Sequence, residues 1–422
     1  MGITEWVAVL VIFAVVYCLI KRYETRLVLI GSGLLLCLIS WNLVGGLNAF
    51  AKSMTNASLV MAICGSMGFA FVAKYTEADR SLVHYLSAPI RGLGIFLVPV
   101  CTAITFFVNI AIPSAAGCAA AVGSTLIPVM LRAGIKPAGA AAAVLAGTIG
   151  SYLSPGTSHN PYVANMAHID VMEFIGFHAP YSIMIGAFGV IGTLIMCILL
   201  GDGKGDKNAK IDESKAQKTD DFTPNPIKAL VPLVPITILV VGNLWCPFIK
   251  MGVAQAMVLG AVIALAVARP NPETFTKEFF NGCGKGYADV MGIIIAAGVF
   301  AAGLREAGLI DVFVQSLKES NEIARWGGSI GPFIMGVITG SGDAATLAFN
   351  ETVTPHAEDF GMSIQGLGGL AFLAGAAGRT ASPLAGVTIL VSGIAMVNPI
   401  DVIKRTAIPC IIAVFACAFL MV

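Results

Sequence analysis

The sequence predicts an all-α polytopic membrane protein of about ten transmembrane helices plus two re-entrant hairpins, arranged as two inverted repeats. Three observations predict it. Hydrophobic residues make up 57% of the 422-residue chain and charged residues only 12%, about half the charged share of a soluble domain. The chain repeats itself: residues 113–135 (PSAAGCAAAVGSTLIPVMLRAGI) match 340–362 (GSGDAATLAFNETVTPHAEDFGM), about 227 positions on. Third, the basic residues fall on one side of the spans that this repeat defines.

The duplication reaches beyond the core match. Ser154-Pro155 recurs at Ser382-Pro383, Phe50 and Gly68 fall on Phe280 and Gly298, and Pro180 falls on Pro409. The first repeat, 1–200, opens with apolar runs at 4–20, 26–44 and 57–75, each near the roughly 20 residues that span a bilayer. The first run lacks a basic leader and a small-residue cleavage site, so it reads as a spanning helix rather than a signal peptide. A short amphipathic piece at 81–90 follows. A hairpin at 92–133 turns at Ile112-Pro113-Ser114, a helix at 137–167 is broken at Ser154-Pro155-Gly156, and 173–200 closes the repeat. A mixed-charge linker, 201–227, leads to the second repeat, 228–422. There the order recurs: 229–246, 251–268, 286–304, amphipathic 309–320, hairpin 326–361, broken helix 364–395 and a last helix at 400–421.

With each hairpin entering and leaving on one side, each repeat crosses the bilayer five times. Five is odd, so the two repeats are inverted. That arrangement puts 19 of the 25 Lys and Arg on one side and five on the other, with Arg379 left inside the membrane. The positive-inside rule makes the first side cytoplasmic, with the linker on it and both termini outside. Inverted repeats with corresponding Gly/Pro interruptions point to a secondary transporter with its binding site at the interruptions.

Four interruptions carry the candidate chemistry. The first hairpin tip offers Asn109, Ser114 and Gly117, and the first break offers Ser151, Ser154, Thr157, His159 and Asn160. The second tip offers Thr339, Ser341 and Gly342, and the second break offers Arg379, Thr380 and Ser382. Non-helical backbone at membrane depth is tolerated only where it is buried in protein or lines a cavity. Free helix N-termini present amide donors and partial positive charge, which suits a carboxylate. One Gly or Ser alone is more simply a packing residue between membrane helices; four aligned clusters are not.

Arg379 stands in AFLAGAAGRTASPLAGVTIL with no other charge within 18 residues. A cation at that depth is costly unless paired. Two partners fit its planar fork: a substrate carboxylate or an internal salt bridge with Asp343. Asp343 and Glu351 are the coupling candidates, since a buried carboxylate can take up a proton or help ligate a cation. His159 could titrate near neutral pH or stay neutral as cavity lining. The other histidines, at 84, 168, 178 and 356, fall near segment ends.

Other classes find little support. No GxxxxGK[ST] or HExxH motif is present and no hydrolase nucleophile elbow stands out, which argues against direct ATP hydrolysis or an intramembrane hydrolase. The ten cysteines lie mostly in apolar segments without CxxC spacing, so neither metal nor redox cofactor is expected. Na+ and H+ are the candidate coupling ions, with plain exchange as the alternative. A net charge of +1 gives no sign of a nucleic-acid partner. A channel would need a continuous polar stripe rather than clustered midplane breaks.

The segment GRTASPLAGVTILVSGIAMVNPIDVIKRTAIP (378–409), with TGSGDA (339–344) and LIPVMLRAGI (126–135), resembles the anaerobic C4-dicarboxylate carriers of the Dcu type C group, within the ion-transporter superfamily. The resemblance implies exchange or export of succinate, fumarate and malate across a bacterial inner membrane. It also implies scaffold and transport parts in a homodimer, with elevator-type movement. The same scaffold carrying another organic anion or an amino-acid derivative is the alternative.

Overall fold

A computed structural model describes residues 2–21, 23–87, 93–205, 222–310, 312 and 321–421. Among the described residues the regular structure is entirely helical, and seven helices are long and apolar enough to cross a membrane. Shorter apolar helices, among them Thr25–Ile39 and Val253–Ala268, lie between them. Most of the amphipathic piece expected at 309–320, and the middle of the linker, fall outside the described residues.

One set of helices forms the scaffold. From the first repeat come Ile3–Ile20, Thr25–Ile39, Leu43–Met54 and Ala57–Tyr75. From the second come Val234–Leu244, Val253–Ala268 and a long rod running from Pro272–Lys285 through a π-helical turn, Gly286–Met291, into Gly292–Glu306. The helices Leu43–Met54 and Pro272–Lys285 correct the sequence reading, which ran one span through 26–44 and left 272–285 unassigned. Their apolar signal is diluted by Gly, Lys, Thr and Glu, and local caps define them instead. The Asn42 side chain accepts from Gly45 N at 3.0 Å and Asn271 from Thr274 N at 3.0 Å, with Pro272 in the first turn. Both are N-cap geometries that satisfy free amides.

The repeats interlock through these helices. A methyl built on Gly68 would lie 2.9 Å from Cys283 Sγ, and one built on Gly298 would lie 2.6 Å from Ser53 Oγ. Gly68 and Gly298 correspond in the duplication, and so do Ser53 and Cys283. Each repeat therefore inserts the same position against the same glycine of the other.

The hairpins and broken helices form a second body. The first hairpin is Leu97–Ala111 and Ala115–Arg132. The second hairpin is Asn321–Thr339 and Gly342–Thr352, turning at Gly340 with φ +72°. The broken helices are Pro137–Gly147 with His159–Met166, and Ile364–Thr380 with Gly386–Ala395. Each hairpin packs on its own broken helix at a glycine. A methyl on Gly150 would lie 1.9 Å from the Phe106 carbonyl oxygen, and one on Gly378 would lie 2.1 Å from that of Phe333. These are again equivalent positions, where small residues let backbones touch.

The hairpins open at opposite ends of Val171–Leu199. At its C-terminal end Gly205 N donates to Gly134 O at 2.8 Å, Lys136 N donates to Asp202 O at 2.9 Å, and Gly203 abuts Ile95 at the root of the first hairpin. At its N-terminal end Asn165 and Met166 share a cavity wall with Glu351 and Pro355 at the root of the second. At the linker end Arg405 Nε and Nη2 donate to Asp202 Oδ2 and Oδ1 at 2.6 and 2.7 Å. Asp202 is completely buried and Arg405 nearly so. This bidentate pair ties Pro399–Leu420 to the segment that leaves Val171–Leu199.

Beside this end lies the helix Ala78–Ser87, which overlaps the amphipathic piece expected at 81–90; residues 88–90 fall outside the described ones. Burial pushes its Asp79 carboxyl up to about 6 from 3.8, despite a hydrogen bond from Arg80 N and the charges of Lys74 and Arg80. The folded state therefore holds this proton more tightly than the unfolded chain. Its stabilising effect is complete below pH 3.8 and is lost as pH rises through about 6. Asp79→Asn should raise thermal stability at pH 7.5, by at most about 3 kcal/mol, and leave it unaltered at pH 4. Equal melting of the two proteins at pH 7.5 would show that Asp79 carries no such cost.

Candidate functional site

The four interruptions meet, and most of their polar side chains build the frame. Asn109, fully buried, accepts from Ser151 N at 2.7 Å and donates to Ile112 O at 2.9 Å, locking the first tip to the first break. Asn160, also fully buried, donates to Tyr152 O and Ser154 O, both at 2.8 Å. Thr157 Oγ1 donates to Ser151 O. Thr339 Oγ1 donates to Met335 O at 2.7 Å and accepts from Ser341 N at 3.1 Å, shaping the second tip. Thr380 Oγ1 donates to Ala376 O at 3.1 Å, while its carbonyl accepts from Thr406. Gly342 sits where a methyl would lie 2.5 Å from the Gly375 carbonyl oxygen.

The repeated Ser-Pro has one explanation in both halves. Ser154 Oγ accepts from Gly156 N at 3.3 Å, and Ser382 Oγ accepts from Leu384 N at 3.1 Å. Proline opens the helix, and the preceding serine satisfies the amide two residues on. Ser382 also donates to Val337 O at 2.6 Å and so reaches its own hairpin.

Fewer of these side chains are exposed or reach across from one interruption to another. Ser114 is exposed, with its hydroxyl accepting from Gly117 N at 3.1 Å at the start of Ala115–Arg132. Asp343 begins the returning arm of the second hairpin, with its side chain 61% exposed. His159 Nε2 lies 3.0 Å from Asp343 Oδ1, joining the first break to the second tip. Its ring stacks on Phe372 at 4.6 Å between centroids, with Tyr152 edge-on to the same ring at 5.0 Å. Arg379 Nη2 donates to Thr148 O at 3.2 Å and reaches Thr380 Oγ1 at 3.5 Å.

Asp343 pairs with His159, and Arg379 has no ion pair among the described residues. The coupling candidates are also separated. Glu351 lies two turns from Asp343 along Gly342–Thr352 and accepts from the Tyr162 hydroxyl. It faces a cavity of about 230 Å³ that Ser53, Asn56 and Arg305 of the scaffold also line.

Sequence reasoning missed Tyr152, Tyr162 and Phe372, and placed His178 at a segment end. His178 is in fact fully buried, with Nε2 3.0 Å from Asn160 Oδ1 and Nδ1 2.8 Å from Ser182 Oγ. It is a second layer behind the first break. The signal was the length of Val171–Leu199, 29 residues, which puts position 178 two turns inside.

The profile of the C4-dicarboxylate anaerobic carriers, DcuC, matches residues 4–422. The chain belongs to this family. The anaerobic C4-dicarboxylate transporter DcuC of Escherichia coli K12 is 28% identical over 96% of this chain and 93% of its own length. An uncharacterised transporter of Haemophilus influenzae is 46% identical over 277 residues, 64% of this chain and 99% of that one. Among solved structures, the YdaH transporter of Alcanivorax borkumensis superimposes with a TM-score of 0.61 over 89% of this chain and 86% of its own, at 12% identity. That likeness concerns the fold. The family and fold together make the chain a multi-pass transporter rather than an enzyme.

Proposed function

We propose that this family member is a secondary transporter of C4-dicarboxylates such as succinate, fumarate and malate, working by exchange or cation-coupled transport across a bacterial inner membrane. The observation that carries this reading is Arg379: a cation at the meeting point of four interruptions, without a carboxylate partner among the described residues. Its guanidinium takes one substrate carboxylate through a charge-assisted fork. The second carboxylate lies toward the free amides at the start of Ala115–Arg132, beside exposed Ser114. Ser151, Ser154, Thr157, Asn160, Thr380 and Ser382 hold those backbones in place around it.

The movement proposed is elevator-type, with the hairpins and broken helices sliding as one body against the scaffold of a homodimer. Two features favour a sliding boundary there. Cavities of about 230 and 260 Å³ lie between the two bodies, and Gly156 of the first break abuts Ser66 of the scaffold.

Counterflow tests the function directly. Proteoliposomes preloaded with unlabelled succinate should accumulate labelled succinate or fumarate in a saturable manner. Uptake that does not saturate, or that ignores the preloaded dicarboxylate, would sink the reading.

A further inference from the structure

We infer that His159 and Asp343 form one proton-holding pair, which a dianionic substrate loads when it binds beside Arg379. Dicarboxylate binding and proton uptake are thereby linked. The inference rests on the proposed function and names its coupling ion and residues.

The first support is placement. His159 belongs to the first break and is 3% exposed; Asp343 belongs to the second tip and is 61% exposed. Their 3.0 Å contact bridges the two repeats at the site itself, so the pair senses whatever fills the space between the tips. Arg379 is the next charge acting on Asp343.

The second support is charge counting. With neutral imidazole, Arg379 and Asp343 sum to zero. A dicarboxylate carries two negative charges at neutral pH, and Asp343 repels them in a partly desolvated space. One proton on the pair makes the site +1. It does so whether the proton sits on the imidazole or on the carboxyl. A ligand that binds the protonated form better must draw protons in as it binds.

The third support is an orphaned atom. His159 Nδ1 is buried and lacks a partner among the described residues. Such a group is costly when left unmet. A protonated His159 becomes a donor at Nδ1, and a carboxylate oxygen or a water that comes with it is the matching acceptor.

Other titratable groups stand around the pair. His178 has both ring nitrogens engaged, by Asn160 and Ser182. Tyr152 and Arg379 face the pair from the first and second breaks, and Cys410 acts on both of these from Pro399–Leu420. Glu351 with Tyr162 lies two turns further along the hairpin arm.

Calorimetry on the full-length protein in nanodiscs decides it. Succinate is titrated at pH 7 in buffers of different protonation enthalpy, which counts protons. The wild type should take up close to one proton per succinate, and its affinity should fall about tenfold per pH unit above the midpoint of the pair. His159→Gln and Asp343→Asn should bring the count near zero and flatten the pH dependence, with folding checked by thermal unfolding. Infrared difference spectra of the wild type on succinate addition assign the site without a variant: imidazole or carboxyl bands should change. Equal heats in all buffers with flat affinity from pH 6 to 8 overturn the inference while the transport reading stands. So do unchanged proton counts in both folded variants, or infrared bands that stay still. Absence of both succinate binding and counterflow brings down the transport reading and the inference with it.

Discussion

Arg379→Ala should weaken succinate binding by about 30- to 150-fold while leaving the thermal stability of the purified protein nearly unchanged. The magnitude follows from the loss of a charge-assisted hydrogen-bonding fork, about 2–3 kcal/mol. Stability should hold because Arg379 ends no ion pair among the described residues and its hydrogen bond to the Thr148 carbonyl, at 3.2 Å, is a long one. Removing it leaves Asp343 with its His159 partner. Arg379→Lys should recover part of the affinity, since it restores the charge but not the planar fork. Binding isotherms on the two variants settle the matter. Unaltered affinity in Arg379→Ala would remove this residue from the substrate site.

The second large effect is expected far from the substrate. Asp202→Ala should destabilise the protein by about 3–5 kcal/mol, because it strands Arg405 in a buried site without its carboxylate. The apparent melting temperature in detergent should fall by on the order of 5 °C, whereas succinate affinity in the folded fraction should stay at the wild-type level. Asp202→Leu combined with Arg405→Met should regain most of the loss, since replacing both partners removes the stranded charge. If Asp202→Ala melts with the wild type, the pair is ornamental to stability. The mirrored contact of Arg405 Nη1 with the Asp401 carbonyl would then be sufficient for the arginine.

The repeat was legible because membrane insertion constrains sequence harshly. Spans must be apolar, and a break must be announced by Gly, Ser or Pro. That is why Pro113, Ser154-Pro155, Gly340 and Ser382-Pro383 could be found without coordinates, and why each stands at a break in the folded chain. The short helices Leu43–Met54 and Pro272–Lys285 were not legible. They lie against the scaffold with one face only, so hydropathy sees a mixed segment, and their Asn caps are common in loops as well. The shape of the first break was also misread. Its helix ends at Gly147, several residues before Ser154, and passes through a tight turn at Gly150–Leu153. Gly150 makes that turn possible by letting the chain press on the Phe106 carbonyl.

By itself, the sequence determined the class of protein, the two inverted halves, the places where helices open and the isolation of Arg379. These depend on local composition and on spacing along the chain, which hydropathy and covalent geometry read directly. Only the tertiary structure decided partners. His159 meets Asp343 across 184 residues, Tyr162 meets Glu351 across 189, and Asp202 meets Arg405 across 203. A buried polar group must find a partner, but nothing local says which one, because the choice is made when the two halves pack. That packing left Arg379 without a carboxylate among the described residues and set His159 against Asp343.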